Sequence, residues 1–137
     1  MLTALLLAAA ATLAPQAAAE KLLADQQAAW NRGDLEGYMA GYWRSPELTF
    51  YSGATVTRGW QPTLDRYRRR YQQGGKEMGQ LAFSDLEVSP IAEGVLFSRG
   101  AWRLTFKDGK GAHGLFTLLI RKLDDGYRIV HDHSSGE

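Results

Sequence analysis

The second half of the chain constrains the fold most, because after Met78 the apolar residues recur with the two-residue period of β-strands. Four strands are predicted there, at 81–88, 95–107, 112–123 and 127–134. Asp108-Gly109 and Asp125-Gly126 separate the last three strands and are typical of hairpin turns. Around Asp85 the apolar residues change parity, which indicates a β-bulge, and Pro90 is expected to end that strand. The sequence therefore predicts an antiparallel meander.

The first half of the chain has the helical repeat instead. Apolar residues recur at helical spacing in segments 20–32 and 35–42, and again in a third segment that Pro62 begins and Gly74 ends. Two short strands, at 48–51 and 55–57, are predicted between the second and third helices. Helices followed by a meander predict a single α+β domain, which a chain of 137 residues is long enough to form.

The segment 115–120, Leu-Phe-Thr-Leu-Leu-Ile, is apolar on both faces of its predicted strand. A sheet with one solvated face does not need this pattern, so each face is expected to be covered. The helices can cover one face, and the simplest cover for the outer face is a second copy of the protein. The sequence thus predicts a homodimer through the outer sheet face.

Residues 1–19 differ from the rest of the chain in that they carry no charged side chain. An apolar stretch over 2–13 precedes a break at Pro15 and a run of small residues at 17–19. This order is typical of a cleavable secretory signal peptide, and the stretch is shorter than the roughly 20 residues of a membrane-spanning helix. We expect a mature domain of residues 20–137 that is secreted or periplasmic and has no membrane partner. The alternative, an Ala-rich helix of the mature domain, would need burial on every side.

Charge and cysteine content exclude several functions. With 16 basic and 15 acidic side chains the net charge is +1, so no large field attracts nucleic acid or an anionic membrane. Four arginines are expected on the wet faces of the third helix: Arg66, Arg68, Arg69 and Arg70. The chain has no cysteine, which excludes disulfides, thiolate zinc sites and cysteine nucleophiles. No phosphate loop or dinucleotide motif is readable, so no cofactor is predicted.

Several short motifs, together with this order of elements, resemble the nuclear transport factor 2-like superfamily. The motifs are residues 30–38 (Trp-Asn-Arg-Gly-Asp-Leu-Glu-Gly-Tyr), 103–105 (Arg-Leu-Thr) and 127–135 (Tyr-Arg-Ile-Val-His-Asp-His-Ser-Ser). More narrowly, the chain is similar to the SnoaL-like and DUF4440 group and to the association domain of calcium/calmodulin-dependent protein kinase II. The resemblance implies a cone-shaped fold, with three N-terminal helices on a strongly curved, mainly antiparallel sheet. It also implies a pocket at the open end of the cone.

His131 and His133 are the candidates for catalysis. If the last strand alternates strictly, both share a face with Tyr127 and Ile129, and both imidazoles are expected to point into the cone. There they can move a proton or bind a ligand, and the alternative is that they are hydrogen-bonded core histidines. His113 could join them on a metal, but no carboxylate is obviously paired with the three, so no metal site is predicted.

Aromatic residues are concentrated on the faces expected to meet between helices and sheet. One interpretation is that these residues are ordinary core and contribute packing. The other is that some of them line a pocket, where water or a ligand supplies the hydrogen-bond partners that buried hydroxyl and indole groups need. We predict that the ligand pocket is lined by Trp30, Tyr38, Tyr51, Tyr67, Tyr71, Arg103, His131 and His133.

Arg103 has two interpretations. The resemblance to the kinase association domain implies an anion-binding arginine in the pocket at this position. The alternation of Trp102, Leu104 and Phe106 instead places Arg103 on the opposite, solvated face. The neighbouring-strand arginine of that association domain corresponds to Leu118 here, which weakens the expectation of a two-arginine carboxylate site.

These observations favour an exported, dimeric SnoaL-like domain that binds a small carboxylate-bearing or aromatic molecule in its cone, without established catalysis. One alternative is a lyase or isomerase of the ketosteroid isomerase type that uses His131 and His133. For that chemistry the first strand offers no aspartate, and Asp132 is expected on the face opposite the histidines. The other alternative is an assembly or interaction module with a vestigial pocket.

Overall fold

The structure is a computed structural model that describes residues 14–136. The described part contains the helices α1 (Pro15–Asn31), α2 (Leu35–Met39) and α3 (Trp60–Tyr71), and a 3-10 turn over Gln73–Gly75 follows α3. Its strands are β1 (Thr49–Ser52), β2 (Thr55–Arg58), β3 (Gln80–Ala92), β4 (Val95–Thr105), β5 (Gly111–Leu123) and β6 (Gly126–Ser134). The predicted α+β class, with three helices before the meander, is confirmed.

Helix α1 begins at Pro15 rather than near residue 20. Proline is favoured in the first helical turn, and alanine has the highest helix propensity of all residues. Ala18 and Ala19 are buried against the core, so cleavage after Ala19 would remove the first turn of α1. The predicted signal peptide otherwise falls on residues 1–13, which lie outside the described residues, and its cleavage stays a prediction. No helix within residues 14–136 is long and apolar enough to cross a membrane.

The strands form one curved sheet in the order β2-β1-β6-β5-β4-β3. Neighbouring strands are antiparallel except β1 and β6, which run parallel. The three longest antiparallel pairings join β3 to β4, β4 to β5 and β5 to β6, and they form the predicted meander. Both Asp-Gly pairs lie at hairpins of this meander, as predicted.

In the edge strand β3, one prediction is wrong and another is confirmed. The strand continues through Pro90, which was expected to end it. Because β3 is at the edge of the sheet, the missing N–H of a proline can be tolerated there. The bulge predicted near Asp85 is present: the pairing with β4 shifts at this point and Asp85 has a φ of 55°.

A bulge in β6 decides where the C-terminal side chains point. Ile129 and His131 pair with adjacent residues of β5, so Val130 is an extra residue in the ladder. The other edge of β6 changes partner at the same place, because residues 41–43 bond to Ile129 and β1 pairs from His131 onwards. The extra residue places His131 on the face opposite Ile129, whereas strict alternation would place both on one face.

The helices pack on the concave face of the sheet and are fastened to it by side chains near the end of α1. Asn31 accepts a hydrogen bond from the Leu81 N–H at 2.7 Å and donates one to the Leu81 carbonyl at 3.0 Å. Trp30 donates its indole N–H to the Gly79 carbonyl at 3.2 Å. These bonds hold α1 against the start of β3.

Strand β5 has an apolar inner face and an apolar outer face, as its sequence indicates. Phe116, Leu118 and Ile120 point inward and are buried in the core beneath the helices. Leu115 points outward and is 65 % exposed. The helices therefore cover one face of this strand, and the outer face is on the surface of the single chain.

Candidate functional site

The helices and the concave face of the sheet enclose a cavity of about 400 Å³. Its wall is mainly aromatic and aliphatic, and it includes Trp30, Phe50, Tyr67, Tyr71, Phe83, Trp102, Phe116, Leu118 and Ile129. Asp132 supplies a carboxyl group to the same wall. A mostly apolar cavity with a few convergent polar groups is the usual form of a small-molecule site.

Asp132 lies on the inner face of β6 and is 4 % exposed. Its two carboxyl oxygens accept hydrogen bonds of 2.7 Å, one from the Tyr42 hydroxyl and one from the Ser134 hydroxyl. Burial raises the pKa of Asp132 to about 6, although the two hydroxyl donors act to lower it. Asp132 therefore gains or loses its proton much closer to neutral pH than an ordinary aspartate does.

Two further tyrosines extend the hydrogen-bond chain from Asp132 along the cavity wall. The Tyr42 hydroxyl lies 3.3 Å from that of Tyr38, which lies 3.4 Å from that of Tyr67. Burial raises the pKa of all three phenols, and the nearby charge of Asp132 raises each of them further. All three tyrosines consequently keep their protons at neutral pH.

The charge of Asp132 orders this chain, because each phenol has only one proton to donate. When Asp132 is ionised, Tyr42 donates to it, Tyr38 donates to Tyr42 and Tyr67 donates to Tyr38. This order leaves the Tyr67 oxygen as an acceptor toward the cavity. When Asp132 is protonated the order can reverse, and Tyr67 then presents a donor. One buried proton is thus coupled to the polarity of a group on the cavity wall.

Four of the eight predicted pocket residues line the cavity: Trp30, Tyr38, Tyr67 and Tyr71. The Trp30 ring packs edge-to-face against these three tyrosines, with centroid distances of 5.2, 5.8 and 4.9 Å. These contacts fix the positions of the three tyrosine rings. Contact between these four residues and a ligand stays a prediction.

His131 and His133 lie on the outer face of the sheet, so the prediction that they point into the cone is wrong. The cause is the bulge at Val130, which interrupts the alternation on which the prediction depends. His131 is hydrogen-bonded through Nδ1 to the Thr49 hydroxyl, and His133 Nε2 lies 3.2 Å from the Gly53 carbonyl. Partial burial and the neighbouring His133 lower the pKa of His131.

Tyr51 and Arg103 also lie outside the cavity, contrary to their predicted place in the pocket. The Tyr51 ring packs against both outer-face histidines, at centroid distances of 4.8 and 5.5 Å, whereas its neighbours Phe50 and Ser52 line the cavity. Arg103 is exposed on the outer face, opposite His113 of β5. The alternation of apolar residues in β4 predicts this outer position for Arg103, whereas the family resemblance implied a position in the pocket.

Three charged residues of the cavity wall, Asp132, Arg66 and Arg70, are not among the pocket residues predicted from the sequence. Asp132 is assigned to the wrong face by the same error of alternation that affects the histidines. Arg66 and Arg70 are four residues apart, as are Tyr67 and Tyr71. This shared spacing indicates that the arginines lie beside the tyrosines on one side of α3, and it could have been used to predict them. In the described part of the chain, no three histidine, cysteine, aspartate or glutamate side chains are grouped to hold a metal ion.

Comparison with known proteins finds the same fold in several solved structures. An NTF-2 like protein of unknown function from Shewanella oneidensis MR-1 is 36 % identical, with a TM-score of 0.82 over 89 % of this chain and 99 % of that one. A ketosteroid isomerase-like protein from Erwinia carotovora atroseptica SCRI1043 is 21 % identical, with a TM-score of 0.68 over 88 % and 94 % of the two chains. A protein assigned as a calcium/calmodulin dependent protein kinase II association domain, from Xanthomonas campestris, is 16 % identical, with a TM-score of 0.68 over 87 % and 85 %. The last two show the fold alone.

The family relationship follows from a match over nearly the whole domain. The SnoaL-like domain family matches residues 19–136. No functionally curated protein matches the chain. The match and the architecture agree, since the matched residues form three helices on a curved, mainly antiparallel sheet. The protein therefore belongs to the SnoaL-like domain family, within the nuclear transport factor 2-like superfamily.

Proposed function

We propose that the protein is an exported SnoaL-like domain that binds a small molecule in the cavity of its cone. The observation that carries the proposal is the placement of Asp132, a carboxyl group that is 4 % exposed on the wall of a mainly apolar cavity. Within residues 14–136 its hydrogen bonds come from hydroxyl groups, and it forms no ion pair. A buried carboxylate without a cationic partner destabilises a fold, so its presence on a cavity wall favours a role in the cavity.

Native mass spectrometry of protein produced from the full sequence tests binding and export together. We expect the secreted chain to begin at Glu20, because cleavage is predicted after residue 19, and to carry the extra mass of a bound small molecule. A chain that keeps residues 1–19 in a host that processes other signal peptides contradicts export. A ligand-free protein whose thermal midpoint is unchanged by a library of phenols, alcohols and organic acids contradicts binding.

Asp132 also favours a second candidate function, an isomerase or lyase that moves a proton. A carboxylate whose pKa is about 6 can accept a proton from a carbon next to a carbonyl group and return it to another carbon near neutral pH. His131 and His133, the residues assigned to this chemistry from sequence, do not line the cavity. We therefore propose Asp132 as the base in this candidate reaction. The ketosteroid isomerase-like structure from Erwinia has the same fold.

The outer face of the sheet supports the proposal of a homodimer. Leu115 on β5 and Val56 on β2 are 65 % and 50 % exposed on this face. The half-buried Phe97 and Leu119 pair with each other across β4 and β5, and Leu119 lies on the same face of β5 as Leu115. A two-fold axis through the face would place the same apolar patch of both copies in contact. A second copy is therefore the proposed cover for the outer side of β5.

The substitution Leu115→Glu is expected to convert this dimer into a monomer, because it places two like charges in the proposed interface. Sedimentation velocity measures the change, and circular dichroism should show an unaltered fold since Leu115 is a surface residue. The matched control is Ile91→Glu on the edge strand β3, where the side chain is 60 % exposed. A monomeric native protein, or equal dissociation in both variants, contradicts the proposed interface.

A further inference from the structure

Two arginines lie on the α3 side of the cavity. Arg66 and Arg70 are one helical turn apart and both line the cavity wall. Arg66 is half-buried and Arg70 is exposed, so together they extend from the interior of the cone to solvent. The guanidinium group of Arg70 lies 5.6 Å from the centre of the Tyr71 ring, and its Nε donates to the Tyr71 hydroxyl at 3.2 Å. Tyr71 thereby holds Arg70 beside the cavity.

The described residues provide no carboxylate partner for either arginine. Arg68, which lies between them in sequence, forms ion pairs with Glu36 at 2.9 Å and with Asp65 at 3.9 Å. Arg66 and Arg70 form no ion pair within residues 14–136. The carboxyl group that shares their cavity is Asp132, which two hydroxyl groups already hold. The cavity therefore has two unneutralised cations on its α3 side, and Tyr67 of the same helix offers a hydrogen-bond acceptor when Asp132 is ionised.

We propose that Arg66 and Arg70 bind the carboxylate of an amphipathic organic acid. This inference rests on the proposed function and names the ligand class of the same cavity. Two planar guanidinium groups match a planar carboxylate in charge and in hydrogen-bond geometry. The apolar wall accommodates the ring of such an acid, and a hydroxyl group on that ring can donate to Tyr67, which accepts a hydrogen bond when Asp132 is ionised. The ligand class is thus an aromatic or alicyclic hydroxy acid.

A variant of Arg69 is the control that distinguishes ligand binding by Arg66 and Arg70 from their contribution to helix stability. Cations in the last turn of a helix stabilise it through the helix dipole, and Arg68, Arg69 and Arg70 all lie in the last turn of α3. Arg69 is exposed and does not line the cavity. The variant Arg69→Gln therefore removes one charge from the same helix without altering the cavity wall.

Isothermal titration calorimetry with 4-hydroxyphenylacetate and its neutral amide, 4-hydroxyphenylacetamide, tests the proposal on the full protein. The native protein is expected to bind the acid at least about tenfold more tightly than the amide, since about tenfold is the smallest gain typical of one charge-assisted hydrogen bond and two arginines act on the carboxylate. Each of Arg66→Gln and Arg70→Gln should remove most of this preference and leave the affinity for the amide unchanged. Arg69→Gln should change neither affinity. Added salt should weaken binding of the acid more than binding of the amide.

Three results would overturn the proposal, and they differ in what else they affect. Equal affinities of the native protein for acid and amide would reject the anion site and leave the binding cavity in place. An equal loss of acid binding in Arg69→Gln would show general attraction of anions rather than a site. Failure of both probes to bind at millimolar concentration would reject the hydroxy-acid ligand class, while the native mass spectrum separately decides whether the cavity binds another small molecule.

Discussion

The variant Asp132→Asn is expected to be more stable than the native protein at neutral pH. Burial raises the pKa of Asp132 from 3.8 to about 6. Since a change of one pKa unit corresponds to about 1.4 kcal/mol, the expected gain in the free energy of unfolding is about 3 kcal/mol. Asparagine has nearly the same volume, can still bond to the hydroxyls of Tyr42 and Ser134, and carries no charge to desolvate. Urea unfolding of both proteins measures the difference.

The pH dependence of this gain follows from proton linkage. Below the unfolded pKa of 3.8, the folded and unfolded chains both hold the proton on Asp132. Between that value and about 6, the folded chain holds more of the proton, so native stability falls as the pH rises through this window. The stabilisation by Asp132→Asn should therefore be absent near pH 3 and complete near pH 8.

Asp34→Asn is the matched control, because it should act in the opposite direction. Asp34 caps α2, and the hydrogen bond from the Gly37 N–H, followed by that from Arg32, lowers its pKa. A lowered pKa contributes stability that is present above the unfolded value and is lost as the pH falls. Asp34→Asn should thus destabilise the protein at neutral pH. A gain from Asp132→Asn that is equal at acid and neutral pH contradicts the assigned cause.

The same Asp132 variant tests the second candidate function. If Asp132 moves a proton, Asp132→Asn should stop solvent-deuterium exchange into a bound ketone, measured by NMR. His131→Ala and His133→Ala should leave the exchange unchanged, because these side chains lie on the outer face. Exchange that depends on the histidines and not on Asp132 would contradict this assignment.

Trp30→Ala is expected to cause the largest loss of stability. Trp30 is 3 % exposed and packs against three tyrosine rings, and its indole N–H bonds to the Gly79 carbonyl. Truncation of a large buried aromatic costs about 3–5 kcal/mol, out of a typical total of about 5–15 kcal/mol. The urea midpoint should fall accordingly, and the cavity should lose its ligand because the tyrosines lose their support.

Two further variants identify the origin of that loss. Trp30→Phe keeps most of the aromatic packing and removes the hydrogen bond to Gly79, so its cost should be clearly smaller than that of Trp30→Ala. Trp43→Ala removes the same side chain from a half-buried position and should also cost less. Equal losses at Trp30 and Trp43 would contradict the central place given to Trp30 in the core.

Much of the fold can be predicted because it depends on interactions between residues close in sequence. The helical repeat and the two-residue repeat each extend over one element, and Gly109 and Gly126 have φ values of 83° and 115° at the hairpins. Glycine adopts such values readily, so each Asp-Gly pair indicates its hairpin without knowledge of the rest of the chain. The tyrosine spacing on α3 likewise indicates which helical face turns inward.

The face of β6 on which Asp132 lies depends on tertiary structure. Beside Val130, one edge of β6 stops pairing with the segment around Tyr42 and starts pairing with β1. The extra residue moves each side chain after it to the face opposite the one that strict alternation predicts. The local sequence Ile-Val-His-Asp is equally compatible with a regular and with a bulged strand, because the choice depends on the neighbouring strands. For Arg66 and Arg70 the helical spacing indicates a face shared with Tyr67 and Tyr71, and the way α3 lies across the sheet turns that face toward the cavity. The elements and their order thus follow from local sequence patterns, whereas the packing of β6 between two partners placed Asp132 inside the cone and the histidines outside it.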